Sequence, residues 1–383
     1  MTAYSVGVVL NGVTGRMGYN QHLLRSILAI RADGGIPLPD GRVILPEPIL
    51  VGRDPTKLRQ IAERHDLARW TTDLGLALSD ESAPIYFDAQ ATSVRAASVR
   101  AAIAAGKHVY AEKPLADDLP EALDLVRAAQ AAGIKTGVVQ DKLFLPGLRK
   151  LARLLEGGFF GRLLSVRGEF GYWVFEGDWQ DPQRPSWNYR AEDGGGIILD
   201  MFCHWRYILD ELFGAVRTVQ CAGATHIPQR VDETGAAYKA TADDAAYGIF
   251  GLDDGVIAQI NSSWAVRVHR DELVEFQVDG TEGSAVAGLR HCKVQHRSAT
   301  PRAIWNPDIP AELDFRAGWT EVPDNGAFEN GFKAQWVMFL RHVVADEPFR
   351  WDFLAGARGV QLGELGMRAW REGRRIDVPE LQP

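Results

Sequence analysis

Cysteine is scarce in this chain of 383 residues: Cys203, Cys221 and Cys292 stand far apart, odd in number and without a CxxC pair. That spacing argues against both a disulfide framework and a structural zinc site. The nine histidines show neither HxxxH nor HxH spacing, so no metal site is expected. No run approaches the roughly 18 uncharged apolar residues that a membrane-crossing helix needs, and a membrane role is not expected. The first residues lack the basic start, apolar core and cleavage site of a signal peptide, which gives the expectation of a cytoplasmic protein. A basic excess is missing too. The net charge of -8 disfavours a general binder of nucleic-acid backbones. Internal repeats and low-complexity stretches are also absent.

What is present is alternation. Residues 4–10 form a β-rich run, followed by Gly12, Gly15 and Gly18 and then a leucine-rich helical pattern. Strand, glycine turn and helix in this order let backbone N–H groups close on a pyrophosphate, and Gly12, Thr14, Gly15, Arg16 and Met17 are the candidate residues. A turn-rich insertion, residues 34–41, leads to a second strand over 49–52. In dinucleotide folds the end of that strand reads the ribose, with an acid favouring a free 2′-hydroxyl and an arginine favouring a 2′-phosphate. Gly52 stands where the acid would be, with Arg53 beside it, which leans towards NADP. The alternative is that Asp54 turns to the ribose and NAD serves. Further βα units follow, with strands near 69–71, 85–88 and 135–139.

Residues 94–105 read as a helix capped by Gly106. A short apolar strand then delivers Glu112, Lys113 and Pro114. Proline bars Lys113 from the α region, so its ammonium leaves a strand end at a defined angle. In open α/β sheets, the carboxyl ends of the strands are where ligands bind.

After residue 163 the rhythm changes to long strands (163–175, 216–226, 244–250, 256–264, 273–278 and 283–287), with a helix from Ile197 to about Phe213. This is an α+β pattern with a mostly antiparallel sheet. Gly194, Gly195 and Gly196 precede that helix, and one turn separates its Asp200 from its His204, so both side chains emerge on one face. A carboxylate beside an imidazole suits a general base near neutral pH. Residues 298–328 look like a long irregular loop, and two helices, over 331–345 and 352–372, close the chain.

Together the glycine turn, the Glu112–Lys113–Pro114 motif and the glycine run leading to Asp200 and His204 resemble the Gfo/Idh/MocA family of oxidoreductases, over nearly the whole length. The resemblance implies an amino-terminal Rossmann NAD(P)-binding domain (1–145), an α+β substrate and oligomerisation domain on an open-faced sheet (146–345), and a carboxyl-terminal helix returning to the first domain (346–383). It implies hydride transfer between NADP or NAD, NADP favoured, and a secondary hydroxyl or ketone of a sugar, cyclitol or sugar derivative. Lys113, Asp200 and His204 are the catalytic candidates. Arg53, Asp54, Glu112 and Lys113 join the glycine turn at the cofactor, and Lys142, Trp179, Tyr189 and Arg190 join the catalytic set at the substrate. A homo-oligomer, dimer or tetramer, through the open sheet face is expected. Two departures bear on the substrate: Tyr207 stands where many members have an aspartate, and Asp141 and Lys142 replace a segment that usually contains arginine. The alternatives are an NAD-dependent glycoside hydrolase working by transient oxidation and a non-catalytic cofactor-sensing protein.

Overall fold

The computed structural model describes residues 2–309 and 313–382; residues 310–312 of the expected loop, and the two terminal residues, lie outside the described residues. Two compact units are present. The first runs as far as Asp141 and takes in Glu329–Glu364 and the final residues from Glu380; the second is Lys142–Phe328 with Leu365–Pro379.

The sheet of the first unit has the spatial order Ile36–Pro37, Arg42–Val51, Thr2–Asn11, Ile85–Asp88, His108–Ala111 and Thr136–Val138, with Trp70–Thr71 pairing Arg42–Val51 as well. All pairs are parallel except that of Ile36–Pro37 with Arg42–Val51. The register puts Asn11 level with Val51 and Asp88, and Asp88 level with Ala111, so four strands finish in one row. Gly12, Gly52, Ala89 and Glu112 are the residues that step off that row. Helices Thr92–Ala104 and Leu119–Ala131 cover one face with Phe353, Ala357 and Val360. Helix Gly331–Ala345 covers the other, burying Trp336, Phe339 and Leu340.

The second strand is longer than expected, starting at Arg42 rather than at 49. Pro46 and Pro48 conceal it, because proline usually argues against a strand. They are tolerated because they share the parity of Leu50, whose N–H points to Arg69, away from Thr2–Asn11. Their missing donors therefore fall on the side where Arg42–Val51 is flanked just by short strands at its two ends. The expected insertion at 34–41 contributes one of those flanks.

In the second unit the sheet order is Thr320–Glu321, Cys292–His296, Gly283–Gly288, Val274–Gly280, Leu163–Gly171, Ile257–Ser263, Ala245–Leu252, Val216–Ala224 and Ile376–Asp377. Pairing is antiparallel except between Leu163–Gly171 and Ile257–Ser263. Helix Ile197–Leu212 packs on one face through Phe202 against Phe250 and Trp205 against Phe276, with the Trp205 indole donating to Ser262 at 3.0 Å. The other face exposes Tyr247, Ile249 and Ile257 at 43%, 46% and 50%.

Three differences from the sequence reading stand out. The strand expected over 163–175 ends at Gly171, where a Cβ would lie 2.2 Å from the Ser263 carbonyl. Helix Gly331–Ala345, expected in the second domain, belongs to the first unit, since its aromatic side chains complete that unit's core. The carboxyl-terminal segment divides: Phe353–Glu364 stays with the first unit, whereas Trp370 covers Gly223 and Ile376–Asp377 pairs with Thr218 and Val219 in the second. Strand Cys292–His296 and the hairpin Gln229–Val231 with Ala237–Lys239 have no counterpart in the sequence reading.

Candidate active site

The first unit's candidate residues lie along the carboxyl ends of its strands. Gly12 takes φ +83°, and a Cβ there would sit 2.7 Å from the Ala89 carbonyl carbon, so glycine alone fits the turn. Gly15 is different: a Cβ would meet a single atom, the Gly12 oxygen, at 3.3 Å. Its bare backbone is exposed at the start of a helix whose first N–H groups have no intrahelical acceptors. That is the donor set a pyrophosphate needs, and the residues fit a dinucleotide. Arg16 is exposed, with Thr14 and Met17 half-buried beside it. The helix continues as a π-helical stretch, Gly18–Leu28.

At the second strand end, a side chain at position 52 would crowd the Thr14 methyl at 3.1 Å and Leu58 at 3.4 Å. Asp54 caps helix Pro55–Arg64, one carboxylate oxygen accepting from the Thr56 and Lys57 amides at 3.0 and 3.1 Å. Arg53 is exposed between them.

Glu112 and Lys113 follow the strand His108–Ala111, and the Lys113–Pro114 peptide is cis. The Glu112 carboxylate faces inward. One oxygen meets His22 Nε2 at 2.7 Å and the other accepts the Lys113 amide at 3.1 Å. Trp336 donates its indole N–H to His22 Nδ1 at 3.0 Å. Indole is a donor and never an acceptor, so Nδ1 carries no proton and Nε2–H donates to Glu112. Burial pushes the Glu112 carboxyl up, but the hydrogen bond from His22, with Lys113 and Arg95 nearby, outweighs it and the net shift is downward. Asp88, fully buried, accepts from the Tyr86 hydroxyl at 2.6 Å and from Arg95 Nε at 3.1 Å. The same guanidinium donates to the carbonyls of Gln90 and Pro114, which braces the segment after Lys113 from behind.

The second unit's candidate residues are built on helix Ile197–Leu212. Gly196 enters it at φ +119°, and a Cβ there would lie 2.5 Å from Asp243 Oδ1. That space lets the Asp243 carboxylate cap the helix by accepting the Ile198 amide at 2.8 Å. Burial raises the Asp243 carboxyl to about 6 in spite of this bond. Asp200, in the first turn, pairs with Arg184 at 3.1 Å. His204, 5% exposed, meets the Tyr207 hydroxyl through Nδ1 at 2.7 Å, and that hydroxyl accepts the Lys142 amide at 3.3 Å. Tyr207, the departure from the family pattern, is thus the group that orients the imidazole through Nδ1.

The remaining substrate candidates are dispersed. Tyr189 is buried, its hydroxyl without a hydrogen-bond partner among the described residues and pushed up by burial to about 12. Arg190 lies over the Tyr238 ring at 4.8 Å and faces Asp232 at 4.0 Å. Trp179 is 65% exposed and packs against Phe175. Among the described residues no group of three or more His, Cys, Asp or Glu is placed to hold a metal ion. The sequence reading does not single out His22, Asp88, Arg95, Arg184, Asp243 or Trp336. Asp88 has a visible signal, a charge closing an otherwise apolar strand. His22 has none, because its partners lie 90 and 314 residues away.

Comparison with known proteins agrees with this architecture. Residues 148–286 match the model of the GFO/IDH/MocA C-terminal domain. A D-xylose dehydrogenase of Paenarthrobacter nicotinovorans is 60% identical over 380 residues, 98% of each chain. A 1,5-anhydro-D-fructose reductase of Ensifer adhaerens is 32% identical over 192 residues, 49% of this chain and 51% of that one. Among solved structures, levoglucosan dehydrogenase in its apo form shares the fold with a TM-score of 0.81 at 22% identity, covering 100% of both chains. Its complex with NADH and levoglucosan gives 0.79 at 22% identity, over 99% of this chain and 100% of that one. With a relative this similar along almost its full length, the chain belongs to the Gfo/Idh/MocA family of oxidoreductases.

Proposed function

We propose that the protein is a nicotinamide-dinucleotide-dependent dehydrogenase that oxidises a ring hydroxyl of a free sugar, with the aldopentose D-xylose as the first candidate. The 60% identity to a D-xylose dehydrogenase across 98% of the chain carries this reading. The presence of Lys113, Asp200 and His204 supports it. The dinucleotide, when bound, supplies the hydride acceptor at its nicotinamide ring. The protein's own part is to remove a proton and steady an alkoxide. The Lys113 ammonium, leaving the strand end behind Glu112, balances the developing negative charge. His204 accepts the hydroxyl proton at Nε2. This takes the tautomer in which Nδ1–H donates to the Tyr207 oxygen, which has acceptor room for the Lys142 amide as well. Asp200 orients the sugar beside it. Lys142 and Tyr189 are the further substrate residues, while Trp179 and Arg190 shape the loop that holds Tyr189.

The direct test is reduction of added NAD or NADP by the purified protein with D-xylose, other monosaccharides, cyclitols and anhydrosugars. Net reduction with a free sugar supports the dehydrogenase. Sugar release from a glycoside without net reduction supports the hydrolase by transient oxidation.

NADP is the favoured cofactor within this proposal. A side chain at position 52 would crowd Thr14 and Leu58, one oxygen of Asp54 caps its helix, and exposed Arg53 offers a fork matched to a phosphate. Arg53→Ala is expected to weaken NADP binding and spare NAD. Tighter binding of NAD by the parent protein, or equal weakening of both, removes the phosphate role.

The open face of the second sheet, with Tyr247, Ile249 and Ile257 exposed, is the proposed contact between copies. Ile249→Lys is expected to lower the mass seen by light scattering. A parent protein that is monomeric and active at micromolar concentration counts against the contact. The three cysteines are buried and far apart in the sequence, which supports a cytoplasmic setting.

A further inference from the structure

Asp200 sits in the first turn of its helix, where backbone geometry fixes its Cα and leaves the carboxylate two rotatable bonds. One group that holds the carboxylate comes from outside the helix. Arg184, in the loop before the triple glycine, donates to Asp200 Oδ2 at 3.1 Å. A loop arginine carries a long flexible stem, and a surface pair of this kind would ordinarily contribute little. Arg184 is not such a residue: its side chain is 23% exposed and its guanidinium lies 4.0 Å from the centre of the Trp264 ring.

Trp264 is 1% exposed and meets Tyr189 edge-on at 5.4 Å. The Tyr189 ring in turn lies under the Arg230 guanidinium at 3.7 Å. Arg230 is paired with Asp244 at 3.2 Å, and both side chains are almost wholly buried. Asp244 is held further by the amides of His226 and Ile227, at 2.7 and 2.9 Å. The result is a continuous ladder, Asp244–Arg230–Tyr189–Trp264–Arg184–Asp200, rooted in a buried ion pair and ending on the candidate carboxylate. Each cation lies over a ring face, which favours it electrostatically and fixes the plane of its fork.

We propose that Arg184, seated on Trp264, is a positioning residue that holds the Asp200 carboxylate in its working orientation. The inference rests on the dehydrogenase reading above, in which Asp200 orients the sugar. Arg184 acts through Asp200, so its removal reduces the rate without touching the cofactor.

The test is a double-mutant cycle on the full-length protein, assayed with D-xylose and the preferred dinucleotide. Arg184→Ala is expected to lower kcat/KM by about tenfold to a hundredfold, the scale of an ångström-sized misplacement, with unchanged cofactor affinity. In an Asp200→Asn background the same change is expected to cost little more, because the group it positions is already gone. Added guanidinium is expected to restore part of the Arg184→Ala activity, and Trp264→Phe, which keeps a ring under the fork, to lose less than Arg184→Ala. Fully additive losses, or an Arg184→Ala variant as active as the parent while Asp200→Asn is impaired, would overturn the positioning role. An Asp200→Asn variant with parental activity would instead sink the functional reading on which it rests. Arg184→Lys, which keeps the charge and loses the fork, covers the case in which alanine prevents folding: parental activity in it overturns the geometric role, and a loss rescued by guanidinium supports it.

Discussion

The two units hold their candidate catalytic side chains by opposite means. In the first, the main chain does most of the work. Four strand ends share a row, and Lys113 leaves that row between a buried carboxylate and a braced proline. In the second, Asp200 and His204 stand on a helix and are aimed by side chains, Arg184 and Tyr207. Position set by a sheet register is hard to lose to a single substitution, whereas position set by side chains can be removed one group at a time.

The largest effects should come from removing the proposed reacting groups, one from each unit. Lys113→Ala and His204→Ala are each expected to lower turnover by about 10²–10⁴-fold, with cofactor binding by titration largely intact. Near-normal turnover in either variant ends its assigned role and with it the symmetry of the comparison.

Next is the buried support behind Lys113. His22→Leu leaves a Glu112 carboxylate oxygen and the Trp336 indole without their partner, at a cost of about 3 kcal/mol to the stability of the first unit. Urea unfolding followed by tryptophan fluorescence would show it. By contrast, Arg184→Ala, at a partly exposed pair, should leave the unfolding midpoint near that of the parent. Equal stability losses in both variants would erase the distinction drawn here.

The smallest effect concerns the cap of the second unit's helix. Burial raises the folded pKa of Asp243 from the ordinary 3.8 to about 6, so between those values the folded chain holds a proton that the unfolded chain has released. Its contribution to stability is therefore greatest below the ordinary carboxyl range, falls as pH rises, and levels off above about 6. Asp243→Asn keeps an oxygen for the Ile198 amide and abolishes that slope. Unchanged pH dependence of unfolding in the variant would show that burial does not hold the proton.

The contrast also explains what can be read from the sequence. Lys113 is legible because local chemistry defines it: a glycine cap, an apolar strand and a proline lie within a few residues. Asp200 and His204 are legible as a pair by helical spacing. Their supports are not, since Arg184 and Trp264 are joined by the fold across 80 residues and His22 and Trp336 across 314. Helix Gly331–Ala345 is recognised as a helix but placed in the wrong domain for the same reason, as nothing near it announces the core that its aromatic side chains complete. Tyr207 shows the reverse case: an odd residue at a patterned position marked a real contact, though not which one.

Pro46 and Pro48 carry one last consequence. An uncovered strand edge normally offers amide donors to any extended segment that drifts against it, and chains stick together by that route. Between its two short flanks, Arg42–Val51 turns to that side two residues that have no amide hydrogen at all. A foreign strand laid along that stretch finds acceptors without donors and cannot zip. Association of copies is thereby steered away from this edge and left to surfaces that recognise side chains.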